Sequence, residues 1–107
     1  MYRYIWKIKL DDPAKKSEFL QHWKETSLLL QKYPGAKGTY AHEVRDEEAS
    51  FFLVAQWKSI ESRDAMSNDI HNSDSDLAKK WRTYAPSSSF GEITQFAGEE
   101  IGSVLPD

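Results

Sequence analysis

His22, His42 and His71 carry the one type of side chain in this sequence whose ordinary pKa, about 6.5, lets it take up and release a proton near neutral pH. His42, in an alternating strand-like stretch, and His22, on the edge of a helical stripe, are the candidate general bases. The competing role for His42 is an interfacial histidine whose hydrogen bonds are already satisfied. For His22 it is a partly exposed position. Trp57 is the candidate orienting group, because an indole N–H in an apolar pocket can hold a phenolic or quinone oxygen; its competing role is a core aromatic that closes the sheet. Trp6, Trp23, Tyr40, Trp81 and Tyr84 are placed to converge between sheet and helices, or at a face between two copies, and are the candidate contacts to a small apolar or aromatic ligand. No metal site is expected: the histidines show no i, i+4 pairing, and His42 and Glu43, adjacent on a strand, point to opposite faces. No glycine-rich phosphate cradle follows a strand, and no G-x-S-x-G elbow occurs.

The elements that must position these groups follow from periodicity, and the centre of the chain is SFFLVAQW, residues 50–57. Along a strand Phe51, Leu53, Ala55 and Trp57 point one way and Phe52, Val54 and Gln56 the other, so both faces need a cover. A first strand is predicted over YRYIWKIKL, with Tyr2, Tyr4, Trp6, Ile8 and Leu10 alternating with Arg3, Ile5, Lys7 and Lys9. Asp11, Asp12 and Pro13 then stop the strand and start a helix running from Pro13 to Lys32. Its core-facing stripe is Phe19, His22, Trp23, Thr26, Leu29, Leu30 and Tyr33. Pro34 and Gly35 end it, and a second strand carrying Gly38, Tyr40, His42 and Val44 on one side turns through RDEEAS into the central strand. Two placements follow for Tyr40 and His42, a pocket wall or a seam between two copies.

Ser59 is the predicted cap of a weakly amphipathic helix carrying Ile60, Ala65, Met66 and Ile70. HNSDSD interrupts it, and Leu77, Trp81 and Tyr84 return to one helical face that ends at Pro86. A fourth strand is predicted over Phe90–Ala97, followed by a loose tail, or an arm across a partner, in residues 98–107.

The order β-α-β-β-α-β is the split βαβ arrangement, an α+β, ferredoxin-like fold with a four-stranded antiparallel sheet and helices on one face. The other face of the sheet is apolar in SFFLVAQW, and the economical cover for it is a second copy of the same sheet, hence an expected homodimer.

Composition narrows the setting. A chain of 107 residues fits one domain, which buries about 60–70% of its unfolded surface. A formal net charge of −3, with cations dispersed among carboxylates, predicts no nucleic-acid partner. The absence of cysteine removes thiol chemistry and agrees with a cytoplasmic location, and no apolar run approaches the roughly 18 residues of a membrane helix.

This order of elements, together with PGAKGTYAHE at 34–43 and VAQWKSIES at 54–62, resembles the antibiotic biosynthesis monooxygenase-like family over residues 3–97. The resemblance implies a dimeric α+β barrel of ferredoxin-like monomers. Activities in that family include cofactor-free oxygenation of anthrones and quinols and haem degradation. Trp57 matches the tryptophan with which the anthrone oxygenases close strand three. Leu53 stands where those enzymes carry an asparagine, which makes it a candidate substrate contact, and Arg63 stands where they carry a tyrosine. Haem-degrading members use a histidine on the last helix, where this sequence has Lys79, Lys80 and Trp81, with His71 just ahead of it.

The resemblance implies a monooxygenase that needs no cofactor. It would bind an electron-rich aromatic, stabilise its deprotonated form so that it reduces O₂ directly, and exclude water, with His42 or His22 as base and Trp57 orienting the substrate. The alternatives are a non-catalytic dimer that binds a small apolar ligand and a haem-binding or haem-degrading protein.

Overall fold

A computed structural model describes residues 1–107. The regular elements are β1 (Tyr2–Leu10), α1 (Lys16–Leu30), β2 (Ala36–Glu43), β3 (Ser50–Trp57), α2 (Ile60–Asn72), α3 (Asp76–Trp81) and β4 (Gly91–Glu99), with short 3-10 turns at Pro13–Lys15 and Ser87–Ser89. The strands form one antiparallel sheet in the order β2-β3-β1-β4. β3 therefore lies inside the sheet, bonded to β1 on one side and β2 on the other.

Local signals set the boundaries. Asp12 accepts from the Ala14 N–H at the start of the 3-10 turn, and α1 becomes regular only at Lys16. The predicted start at Pro13 thus falls on this tighter first turn, a common device at helix N-termini. At the other end Gly35 takes φ +86°, and a Cβ there would collide with Ser62 Oγ, so the turn can lie against the start of α2 only as glycine. The backbone closes the same junction, with the Lys58 N–H donating to the Gly35 carbonyl at 2.7 Å.

The β2–β3 pairing sets Tyr40 against Val54, Ala41 against Leu53 and His42 against Phe52. On β1, Tyr4 pairs with Ala55 and Trp6 with Leu53, while Ile5 lies between Val54 and Phe96. One face of the sheet accordingly carries Ile8, Leu10, Phe51 and Leu53, which form a buried cluster with Phe19 of α1. Further along the same face Trp57 packs against Met66 and Ile70 of α2, with Leu30, Tyr33 and Trp81 around them. All three helices therefore cover one face, a ferredoxin-like α+β arrangement.

The region between β3 and β4 departs from its sequence reading in two ways. Ile60 and Ala65 are exposed, and α2 meets the core only through Met66 and Ile70. α3 ends at Trp81 and buries Ala78 rather than Leu77, so Tyr84 extends past the helix in a turn whose N–H bonds the Trp81 carbonyl at 3.1 Å. The weak amphipathicity of the segment has a physical counterpart in hydrogen bonds, which do much of the work here. Asp69 accepts from the Tyr33 hydroxyl at 2.6 Å and the Ser75 hydroxyl at 2.7 Å, and Arg82 donates to the carbonyls of Ile70 and Ser73.

The opposite face of the sheet has no element of this chain over it. Tyr40, Phe52 and Phe96 stand 48%, 37% and 53% exposed there, with Ile5 and Val54 half-buried between them. No helix is long and apolar enough to cross a membrane.

Candidate ligand-binding cavity

A cavity of about 260 Å³ opens between the covered face of the sheet and the helices. Its floor is Tyr4 and Trp6 of β1, Thr39 of β2, Ala55 and Trp57 of β3, and Ile93 and Gln95 of β4. Its walls are His22, Trp23, Thr26 and Leu30 of α1, Arg63, Met66, Ile70 and His71 of α2, and Trp81. Tyr84, Ala85 and Pro86 close one side. All four tryptophans of the chain line this space.

The gap between sheet and helices follows from where the bulky residues fall. Phe19 fills the space under the start of α1, stacking on Phe51 at 5.5 Å and meeting Trp6 edge-on at 6.3 Å. One turn later the chain presents His22, Trp23 and Thr26 above the small Ala55, and the floor is left partly open. Thr26, which lines the cavity, donates its hydroxyl back to the His22 carbonyl at 2.9 Å.

His22 is held firmly. Its Nε2 lies 2.7 Å from the Ala85 carbonyl oxygen, an acceptor, so Nε2 carries the proton and the neutral ring keeps its lone pair on Nδ1. Nδ1 is buried and has no hydrogen-bond partner. The ring also packs against Phe90 at 5.1 Å and Tyr84 at 6.0 Å. His71, in the last turn of α2, meets Trp81 edge-on at 5.4 Å.

The polar part of the floor is Tyr4 and Gln95. The Tyr4 hydroxyl donates to Gln95 Oε1, and burial pushes its pKa up, opposed by the neighbouring Arg63 charge and assisted by Tyr2. Tyr4 therefore stays a neutral donor. Arg63 lies over the Tyr4 ring, its guanidinium carbon 4.9 Å from the ring centroid.

The cavity unites His22, Trp57, Trp6, Trp23, Trp81 and Tyr84 among the residues singled out in the sequence. Three others lie elsewhere. His42 and Tyr40 are on the uncovered face, with the sheet between them and Trp57, because β2 pairs in the register that turns Thr39 and Ala41 toward the helices. His42 Nδ1 lies 3.3 Å from the Phe52 carbonyl oxygen. Leu53 is fully buried beneath Phe19 and does not reach the cavity. Tyr4, Arg63 and Gln95 were not among the expected contacts. Tyr4 shares the β1 alternation with Trp6, which is a signal for it; Gln95 becomes visible only through the β1–β4 register, which sets it beside Trp6.

A four-stranded ferredoxin-like antiparallel sheet with helices on one face is the fold of antibiotic biosynthesis monooxygenases. The chain resembles a variant of SnoaB, a cofactor-independent oxygenase from Streptomyces nogalater, with a TM-score of 0.74 and 14% identity over 99% of this chain and 97% of that one. It is similar to a crystal structure described as antibiotic biosynthesis monooxygenase, TM-score 0.67 and 10% identity over 95% of this chain and 100% of that one. It is also similar to a variant of MhuD with two manganese protoporphyrin IX bound per active site, TM-score 0.70 and 18% identity over 99% and 100% of the two chains. No protein-family model and no curated protein matches the sequence. At these identities the likeness establishes the fold.

No group of three or more His, Cys, Asp or Glu side chains is placed to hold a metal ion.

Proposed function

We propose that the protein is a monooxygenase that acts on a small electron-rich aromatic, of the quinol or anthrone type, without a cofactor. The observation that carries this reading is a cavity lined by four tryptophans, with one histidine whose Nδ1 has no partner. Indole faces hold a flat ring, and the Ala85 carbonyl fixes the His22 tautomer with an acceptor nitrogen to spare. In this scheme His22 takes the substrate's proton at Nδ1, and the substrate anion passes an electron to O₂. The radical pair recombines to a peroxide anion, which takes the proton back from His22, and loss of water then leaves a carbonyl where the C–H₂ of an anthrone stood. The apolar walls keep solvent from the intermediate. Trp57, only 1% exposed, shapes the floor of the site more than it contacts the ring.

Oxygen uptake by the purified protein with a panel of quinols and anthrones tests this, with His22→Ala as the comparison. Uptake lost in the variant supports the scheme. Binding without uptake across the panel supports the alternative of a non-catalytic binding protein.

The haem reading draws on His71 at the cavity wall. Against it, about 260 Å³ lies below the roughly 300–1,000 Å³ usual for ligand pockets, small for a macrocycle. A Soret-band titration with no stoichiometric change ends that reading.

The uncovered sheet face is proposed as the seam of a homodimer. Tyr40, Val54, Phe52, Ile5 and Phe96 form an apolar row across all four strands, and an isologous copy would bury each of them twice over.

A further inference from the structure

We infer that Arg63 makes the cavity selective for aromatic ligands that carry an anionic oxygen. This rests on the cavity being the ligand site and deepens the reading above by naming the charge of what enters it.

Arg63 is the only Lys, Arg, Asp or Glu among the residues that line the cavity. No carboxylate faces it there. Its side chain is 28% exposed, and its guanidinium makes no hydrogen bond within the chain. The nearest carboxylate is Asp64, at 3.8 Å, on a side chain 64% exposed to solvent. A pair at that distance and exposure is weak, leaving the charge largely uncompensated on the cavity side. The Tyr4 ring holds the guanidinium in place from below, 4.9 Å away, and gives its planar fork a fixed platform. A flat ligand on the tryptophans that presents a carboxylate or a phenolate to this fork gains two charge-assisted hydrogen bonds. A neutral ligand of the same shape leaves the cation desolvated and unpaired. The same geometry favours the deprotonated form of a phenolic substrate, the form that reacts with O₂.

The test compares naphthoate with neutral naphthalenemethanol, each titrated into the protein and followed by tryptophan fluorescence. Naphthoate is expected to bind at least about tenfold more tightly, and Arg63→Met to remove that margin while leaving the alcohol unchanged within about threefold. Arg63→Lys keeps the charge but not the fork and is expected to fall between. Arg63→Gln repeats the comparison if the Met variant does not fold. para-Nitrophenol adds the phenolate source: its visible absorption is expected to show more phenolate bound than free at the same pH. A wild type that binds naphthoate no better than the alcohol, or binds neither, overturns the inference. So does an Arg63 variant with native circular dichroism that keeps the full preference. Oxygen uptake is read separately. Anion preference without uptake upholds the inference and ends the oxygenase reading, and uptake without anion preference does the reverse.

Discussion

His22 Nε2 lies 2.7 Å from the carbonyl oxygen of Ala85, sixty-three residues away, and this one bond ties the middle of α1 to the segment that follows α3. It sets the tautomer of the ring and holds one wall of the cavity closed against the helix. His22→Ala removes the bond and the ring contacts with Phe90 and Tyr84. A loss of about 1 kcal/mol in urea denaturation is expected. Aromatic ligands should also bind more weakly, because Ala85 and Pro86 lose their tether.

Trp57 is predominantly a packing residue. It sits at 1% exposure against Met66 and Ile70. Trp57→Ala is expected to cost about 3–5 kcal/mol, read as a lowered denaturation midpoint, through the cavity it leaves. Trp57→Phe is expected to cost less, about 1–3 kcal/mol, and to retain ligand binding.

Stability should fall in acid through Asp69. Hydrogen bonds from Tyr33, then Ser73 and Ser75, hold its carboxyl below the ordinary value of 3.8. A carboxyl depressed in the folded state contributes stability that is complete above its unfolded value and is lost as pH falls through the folded one. Asp69→Asn should therefore flatten the acid limb of the stability–pH curve below about pH 5. Thermal melts of both proteins across that range measure it. An unchanged slope would mean that the Tyr33–Asp69–Ser75 junction is not coupled to folding.

Phe96 and Phe52 test the proposed seam. Each contributes roughly 1.5–3 kcal/mol if buried, and a symmetric interface counts each twice. Phe96→Glu is expected to shift a dimer toward monomer at micromolar concentration in light scattering while leaving the thermal transition of the fold in place. A wild type that is monomeric at every concentration would remove the seam, and the apolar row would need another cover.

Much of the architecture was legible because it rests on period and punctuation. The alternation of YRYIWKIKL, the Pro34–Gly35 stop and the two-sided apolar pattern of β3 each fixed an element to within a few residues. What was not legible was register. Nothing within β2 says whether Thr39 or Tyr40 faces the helices; that is set by pairing with β3, so His42 and Tyr40 stood as site candidates beside Trp57 although the sheet separates them. Leu53 lies away from the cavity for a related reason. It occupies a position that is polar in the resembled oxygenases, but in this chain Phe19 lies over it and fills the space. The sequence marks Arg63 only as standing where the resembled oxygenases carry a tyrosine; its place at the cavity depends on the fold that sets Tyr4 beneath it.

Ligands are expected to enter between the covered face of the sheet and the helices, not on the open face of the sheet. Indole N–H resonances of the labelled protein report this directly, since Trp6, Trp23, Trp57 and Trp81 all line the cavity while His42 and Tyr40 lie on the other side. On titration with naphthoate, all four indole signals are expected to shift together along a saturable curve, with the His42 and Tyr40 ring signals unmoved. Shifts at His42 and Tyr40 with static indoles would contradict it.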